Sequence, residues 1–343
     1  MKRTSLGLVI AVIAAFTFGT SGALIKPLLE SGWTPAAAVT ARALIGGLIL
    51  LPVALVLVRG TWDAVWRARW RIVIMGLIGV AGTQLVYFAS VERIPVNTAI
   101  LIEYMAPLLL VGWVWARTRR VPKFVVIAGS VVALAGLVLV VSPGGGGSLD
   151  LVGLGFAALA AVGCAIYYVL AAKPSDGLPP VALAAFGLVL GGLSLGLVGI
   201  LGIVPFTANF DNAVLLGATL PWWAPLVIVG LVATAIAYAA SITASEVLGS
   251  RLASFAGLLE VVAAAFYAWL LLGEALTVLQ LLGGVLIIGG IALVRAEPDA
   301  KPEAEPDADA DAKTEPEAEV ESGVESGVEL DPAEVELEPA SRA

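Results

Sequence analysis

The sequence predicts an all-α membrane protein: ten transmembrane helices as two inverted five-helix repeats, followed by a disordered acidic C-terminal tail. Three observations predict it. The composition is strongly apolar, ten apolar runs of spanning length sort positive charge to one side, and the two halves of the chain match each other helix by helix.

Of 343 residues, 59% are hydrophobic and 13% charged, with a mean hydropathy of +0.99. A soluble domain must show water a largely polar outside and cannot carry that much apolar surface, whereas a bilayer demands it. Charge is unevenly placed, with 17 acidic and 3 basic residues from Glu297 onward against 10 acidic and 16 basic before it. The net charge of −8 therefore describes the tail and says nothing of the body's partners. There is no His, and the single Cys164 lies in an apolar run. No internal disulfide can form, and proton handling falls to carboxylates.

A spanning helix needs about 20 mainly apolar residues. Such runs fall at about 5–28, 35–58, 72–91, 96–116, 122–142, 151–172, 180–203, 224–245, 251–272 and 276–295. A long and itself apolar linker, 204–223, separates the seventh from the eighth. Lys2-Arg3 before an apolar run is also how a secretory leader begins, but the run is long and a matching segment opens the second half, so it is expected to remain the first span.

Positive charge marks cytoplasmic loops. With the N-terminus inside, Lys2, Arg3, Arg59, Arg67, Arg69, Arg71, Arg117, Arg119, Arg120, Lys123, Lys173, Arg251 and Arg295 fall on that side, against Lys26 and Arg93 on the other. That asymmetry predicts an even number of spans, both termini cytoplasmic, in a plasma or inner membrane. The tail 297–343 is rich in Ala, Pro, Glu and Asp, lacks aromatic residues and is expected to be a disordered, solvated spacer.

The two halves repeat. Gly79, Thr83, Tyr87 and Ser90 match Gly230, Thr234, Tyr238 and Ser241 at a constant offset of 151. Gly129 and Gly136 match Gly283 and Gly290, the fourth and ninth runs each hold one Glu, and the first and sixth end alike at Lys26 and Lys173. The copies are read as 1–146 and 147–296, with the tail as a third segment, 297–343. An odd number of spans makes the second copy enter from the opposite face, so the halves are inverted about an axis in the membrane plane. That arrangement suits alternating access.

Ionisable groups within spans are costly, about 2.5–3.5 kcal/mol each on insertion scales, so they usually face the protein interior or a wet cavity. Here they are Arg42, Glu103 and Glu260. Glu260 shares a face with Ala253, Gly257 and Ala264, and Glu103 with Ala99 and Ala106; small neighbours let helices approach, so both acids should point inward. They are candidates to bind a substrate amine or a proton, weighed against a buried structural pair of Arg42 with one Glu. Thr83/Tyr87/Ser90 and Thr234/Tyr238/Ser241 form stripes at i, i+4, i+7 and are candidate cavity lining, with Tyr104 beside Glu103. Gln84, Asn97 and Tyr167 are weaker candidates, and Trp62, Trp66, Trp70, Trp222 and Trp223 are interfacial anchors.

Asp63, Asp150, Asp176 and Asp211 all lie in loops, which removes paired intramembrane aspartates, and no phosphate-binding glycine loop precedes a Lys-Ser/Thr. No enzyme activity, metal or cofactor is expected. The expected partners are a small-molecule substrate, the lipid bilayer and a proton, with no nucleic acid.

The stretch from Ile94-Pro95-Val96-Asn97 through Glu103-Tyr104-Met105-Ala106-Pro107-Leu108 is similar to the fourth-helix motif of threonine/homoserine exporters. Leu258-Leu259-Glu260, then Leu271-Leu272-Gly273-Glu274-Ala275-Leu276-Thr277 with Gln280 to Gly284, resembles the ninth-helix end and tenth-helix start of the same branch. Over about residues 6–295 the chain resembles the EamA-domain branch of the drug/metabolite transporter superfamily. It departs at Val261, where the family usually has Pro, and at Arg119-Arg120, which replace the Gly-Glu turn in the first copy. The resemblance implies export of amino acids or related metabolites, driven by an ion gradient or as a facilitator. Two rivals stay open: a lipid or lipid-linked carrier flippase of the same architecture, and a membrane sensor or partner acting through the acidic tail.

Overall fold

A computed structural model describes residues 2–119, 121–141, 150–215, 218–273 and 275–296. The expectations about the acidic tail lie outside these residues. Among them, ten helices are long and apolar enough to cross a bilayer. Spans 1 to 10 are Arg3–Glu30, Pro35–Leu57, Arg69–Val91, Thr98–Thr118, Phe124–Val141, Leu151–Ala171, Pro180–Ile200, Trp223–Leu248, Ser250–Leu271 and Val278–Arg295. Each lies within a few residues of an apolar run in the sequence.

Local signals set the ends. Pro35 and Pro180 open spans 2 and 7, where a missing N–H costs nothing. The Asp150 carboxylate caps span 6 by accepting from Val152 N, and Thr277 with Gln280 forms a capping box on span 10. Span 4 closes on Arg119 and span 9 on Gly273, both left-handed, with φ of 54° and 71°. The repeat thus keeps the backbone geometry although only one copy supplies the glycine.

Four spans are not regular. Spans 3 and 8 widen into i→i+5 turns over Met75–Gly82 and Leu231–Ile236. Thr83, just beyond the first, donates its Oγ1 to Ile78 O (2.7 Å), and Thr234, within the second, donates its Oγ1 to Val229 O (3.1 Å), the same hydroxyl in each copy. Spans 4 and 9 are each broken in two: Val96–Glu103 from Ala106–Thr118, and Ser250–Gly257 from Leu259–Leu272. Pro107 has no N–H to give the Glu103 carbonyl, which accounts for the first break. In the second, Leu258 N and Val261 N tighten to i−3 carbonyls at 3.1 and 3.2 Å.

Packing follows the repeat. Spans 2 and 7 lie together, as do 5 and 10, and the first helix of each copy packs on the third and fourth helices of the other. A Cβ on Gly136 would lie 2.5 Å from the Gly283 carbonyl oxygen, and one on Gly290 2.6 Å from that of Gly129. Gly47 meets Leu188 and Val189, while Gly192 meets Leu44. Such reciprocal contacts are what an inverted pair about a shared axis produces.

The linker between spans 7 and 8 is structured. It carries a two-stranded hairpin, Ala213–Leu215 with Ala218–Leu220, and lies against the turn between spans 1 and 2. Trp33 is buried with Leu28, Ala37, Ala38, Ala213 and Leu226, its indole N–H donates to Asn209 O, and its ring stacks on Trp222 at 6.2 Å. Trp222 is thus a packing residue here, whereas Trp62, Trp66 and Trp70 stand exposed. On the opposite face the short helix Trp62–Arg67 leads into span 3, and Arg71 clasps the end of span 6. Its guanidinium donates to Leu170 O, Lys173 O and Pro174 O, each at 2.9 Å.

Candidate functional site: a chamber between the two copies

Breaking spans 4 and 9 and widening spans 3 and 8 opens the middle of the bundle. A chamber of about 150 Å³ lies there, lined from both copies by spans 1 to 4, 6, 8 and 9. By the volume one water requires, that is room for about ten waters or one small metabolite. Arg42, Glu103 and Glu260 all line it, each half-buried. The chain therefore brings its three intramembrane ionisable residues to one place.

Arg42 does not form the structural ion pair weighed from the sequence. Among the described residues neither carboxylate lies within ion-pair distance of it; one terminal nitrogen donates to Ser21 Oγ (3.0 Å), and its buried Nε has no hydrogen-bond partner. Tyr104 of the fourth helix of one copy and Glu260 of the other both line the chamber. The Tyr167 hydroxyl donates to Ser241 Oγ (2.9 Å), and the Tyr167 ring meets those of Tyr168 and Tyr238 edge-on at 5.2 and 5.8 Å. One wall is thus aromatic with hydroxyls at its rim.

The two polar stripes meet the chamber differently. Thr83, Tyr238 and Ser241 line it, with Tyr104, Gln84 and Tyr167. Tyr87, Ser90 and Thr234 do not. Tyr87 packs toward Ile94, Ala99 and Ala157; Ser90 is fully buried and donates to Gly153 O (3.0 Å); Thr234 is buried and its methyl presses on Gly46. Of each equivalent pair, one residue lines the chamber and the other does not. Of the Asn97 side chain nothing is described. Phe18, Ser21, Cys164, Tyr168 and Ser254 also line the chamber and were not singled out by sequence. Tyr168 follows Tyr167 in an apolar run, so no period marked it. Ser21 and Phe18 lie on span 1, whose contact with the other copy's helices no pattern within one half reveals.

What the arrangement can do is bind a small molecule with charges of both signs. The guanidinium offers a cation, the two acids offer acceptors, and the tyrosines offer a face for an apolar or cationic part.

A model of the EamA-like transporter family matches residues 5–142 and again 151–296. The chain is 24% identical over 307 residues to an uncharacterized inner membrane transporter, YicL, of Salmonella typhimurium, covering 87% of this chain and 97% of that one. It is 26% identical over 297 residues to an uncharacterized transporter, YwfM, of Bacillus subtilis, covering 84% and 93%. One crystal structure of a protein superposes with a TM-score of 0.66 at 21% identity, covering 84% of this chain and 96% of the other, which shows a shared fold.

Proposed function

Because the chain belongs to the EamA-like transporter family, we propose that it exports a small zwitterionic metabolite, an amino acid or a close relative, by alternating access. The chain is a multi-pass membrane transporter of this type and not an enzyme. The observation that carries the finer reading is the convergence of one acid from each copy, with one arginine, on a single chamber at mid-bundle.

In this reading the Arg42 guanidinium holds the substrate carboxylate, and Glu103 and Glu260 take the ammonium group or a proton. Thr83, Tyr104, Tyr238 and Ser241 complete the lining. Residues 1–146 and 147–296 act as the two halves. When they exchange conformations, Tyr87, Ser90 and Thr234 take the places their repeat partners hold here, which makes all ten residues part of one site used in two states. The membrane is the inner or plasma membrane, with the N-terminus on the cytoplasmic face as the arginine and lysine distribution favours.

The test is efflux from cells loaded with labelled amino acids. Glu103→Gln and Glu260→Gln should each slow export about 10- to 100-fold, matching the about 1.5–3 kcal/mol of a hydrogen bond to a charged group. Wild-type rates from both variants across pH would remove the assigned roles.

A further inference from the structure

Three indoles stand exposed on one short stretch of chain. Trp62, Trp66 and Trp70 are 54%, 70% and 64% exposed, four residues apart through the helix Trp62–Arg67 and the first turn of span 3. Span 3, like span 1, begins at the face bearing the N-terminus, so the stretch lies where the apolar core gives way to headgroups. Its other side is packed. Ala64 is buried, Val65 and Ala68 lie against the main core cluster, and Arg71 is held by three carbonyls at the end of span 6. The exposed side is therefore fixed in place.

Arg69 lies against two of these rings. Its guanidinium carbon is 4.8 Å from the centroid of Trp66 and 6.0 Å from that of Trp70, and one terminal nitrogen donates to Trp66 O (2.8 Å). A guanidinium stacked on an aromatic face keeps its N–H groups in its own plane, in the fork that fits two oxygens of a phosphate. Arg59 and Arg67 are exposed on the same stretch, and residues 59–71 hold four arginines against one acid, Asp63. The second copy has no counterpart. Its matching linker, 204–222, carries one charged residue, Asp211. At the offset of 151, Arg69 and Trp70 correspond to Leu220 and Pro221, and the neighbouring Trp222 stacks on Trp33. Exposed indoles joined to cations belong to one linker of the pair.

We propose that Trp66, Arg69 and Trp70 form a docking site for the headgroup of an anionic phospholipid in the leaflet on the N-terminal side. The lipid phosphate takes the N–H fork of Arg69, and Arg59 and Arg67 add attraction to the anionic surface. The indoles settle at the boundary between headgroup and acyl chain, where their apolar bodies leave water and their N–H groups stay wet. A soluble phosphate or an acidic peptide would answer the cations and leave three indoles in water. A lipid answers both parts of the cluster.

The test titrates the full chain in detergent with dioleoylphosphatidylglycerol, dioleoylphosphatidylcholine, inorganic phosphate or polyglutamate, and reads the melting temperature. Phosphatidylglycerol should raise it at a mole fraction about fivefold or more below that needed of phosphatidylcholine, and the two soluble anions should not raise it. Arg69→Gln and Trp66→Ala, in separate chains, should each increase the phosphatidylglycerol needed about fivefold, the worth of one arginine at an anionic surface. Arg69→Lys keeps the charge and loses the fork, and should need about twofold more or beyond. Lys123→Gln removes an exposed charge from the same face and should change the titration less than about twofold. Equal response to the two lipids overturns the proposal, as does an unchanged titration in the Trp66 and Arg69 variants. So does a loss in Lys123→Gln as large as in Arg69→Gln, which would make the attraction diffuse. A rise from phosphate or polyglutamate matching that from phosphatidylglycerol would assign the cluster to a soluble anion or an acidic peptide and overturn it too.

Discussion

Spans 4 and 9 occupy the same place in the two copies, carry the two glutamates that line the chamber and break beside them, yet they break for different reasons. Span 4 breaks because Pro107 leaves the Glu103 carbonyl without a donor. Span 9 has Val261 after its glutamate and breaks all the same, its N–H groups tightened onto i−3 carbonyls and the Tyr168 hydroxyl lying over Gly257. The architecture needs the interruption, and either a missing donor or a neighbouring side chain can hold it. The copies differ also in charge. Gly46-Gly47 of span 2 pair with Gly191-Gly192 of span 7, and in that register the position of Arg42 is taken in the second copy by Gly187. The chamber has two acids by symmetry and one cation by exception.

The sharpest way to break this comparison is to remove the exception. Arg42→Gln should slow amino acid efflux about 10- to 100-fold, because it removes the one cation that lines the chamber. Thermal unfolding in detergent should change little, since no carboxylate loses an ion pair. A second variant probes the cause of the span 9 break. Gly257→Ala drives a methyl into the Tyr168 hydroxyl and should cost about 1–3 kcal/mol in that assay, with Tyr168→Phe in the same chain recovering most of it. Next, Val261→Pro removes one 3.2 Å hydrogen bond from a turn that is already broken and should cost about 1 kcal/mol. Ala265→Pro, one turn further into unbroken helix, should cost about 3 kcal/mol. The smallest effect is expected at the two helix ends. Arg119→Gly gives the first copy the residue the second uses for the same left-handed turn and should raise stability by up to about 1 kcal/mol, read as a rise in melting temperature.

The spans and the repeat were legible because burial in a bilayer writes itself into composition, and every helix carries that mark along its whole length. The ionisable residues were legible for the same reason: a charge in an apolar run stands out, and all three reach the chamber. The polar stripes were read less well. A hydroxyl at helical spacing reports only which face it shares with others, and Ser90 and Thr234 engage a neighbouring carbonyl and a neighbouring glycine face instead of the chamber. Breaks and wide turns escaped hydropathy altogether, because they are changes of hydrogen-bond register in equally apolar sequence. Pro107 was the one visible sign of them. The structured cap formed by Trp33, Asn209 and Trp222 was hidden by the habit of reading a flanking tryptophan as a lipid anchor.

The wide turns in spans 3 and 8 have a mechanical consequence. A π turn stores one residue more than the same height of ordinary helix, and that surplus can close in one place and reopen a few residues along without unwinding either end. Each such step swivels the stretch in between by about 100° and shifts it about 1.5 Å along the axis. A rod of constant length as seen by the lipid can in this way present a different set of side chains to its interior. In span 3 those are Thr83, Gln84 and Tyr87; in span 8, Thr234, Tyr238 and Ser241.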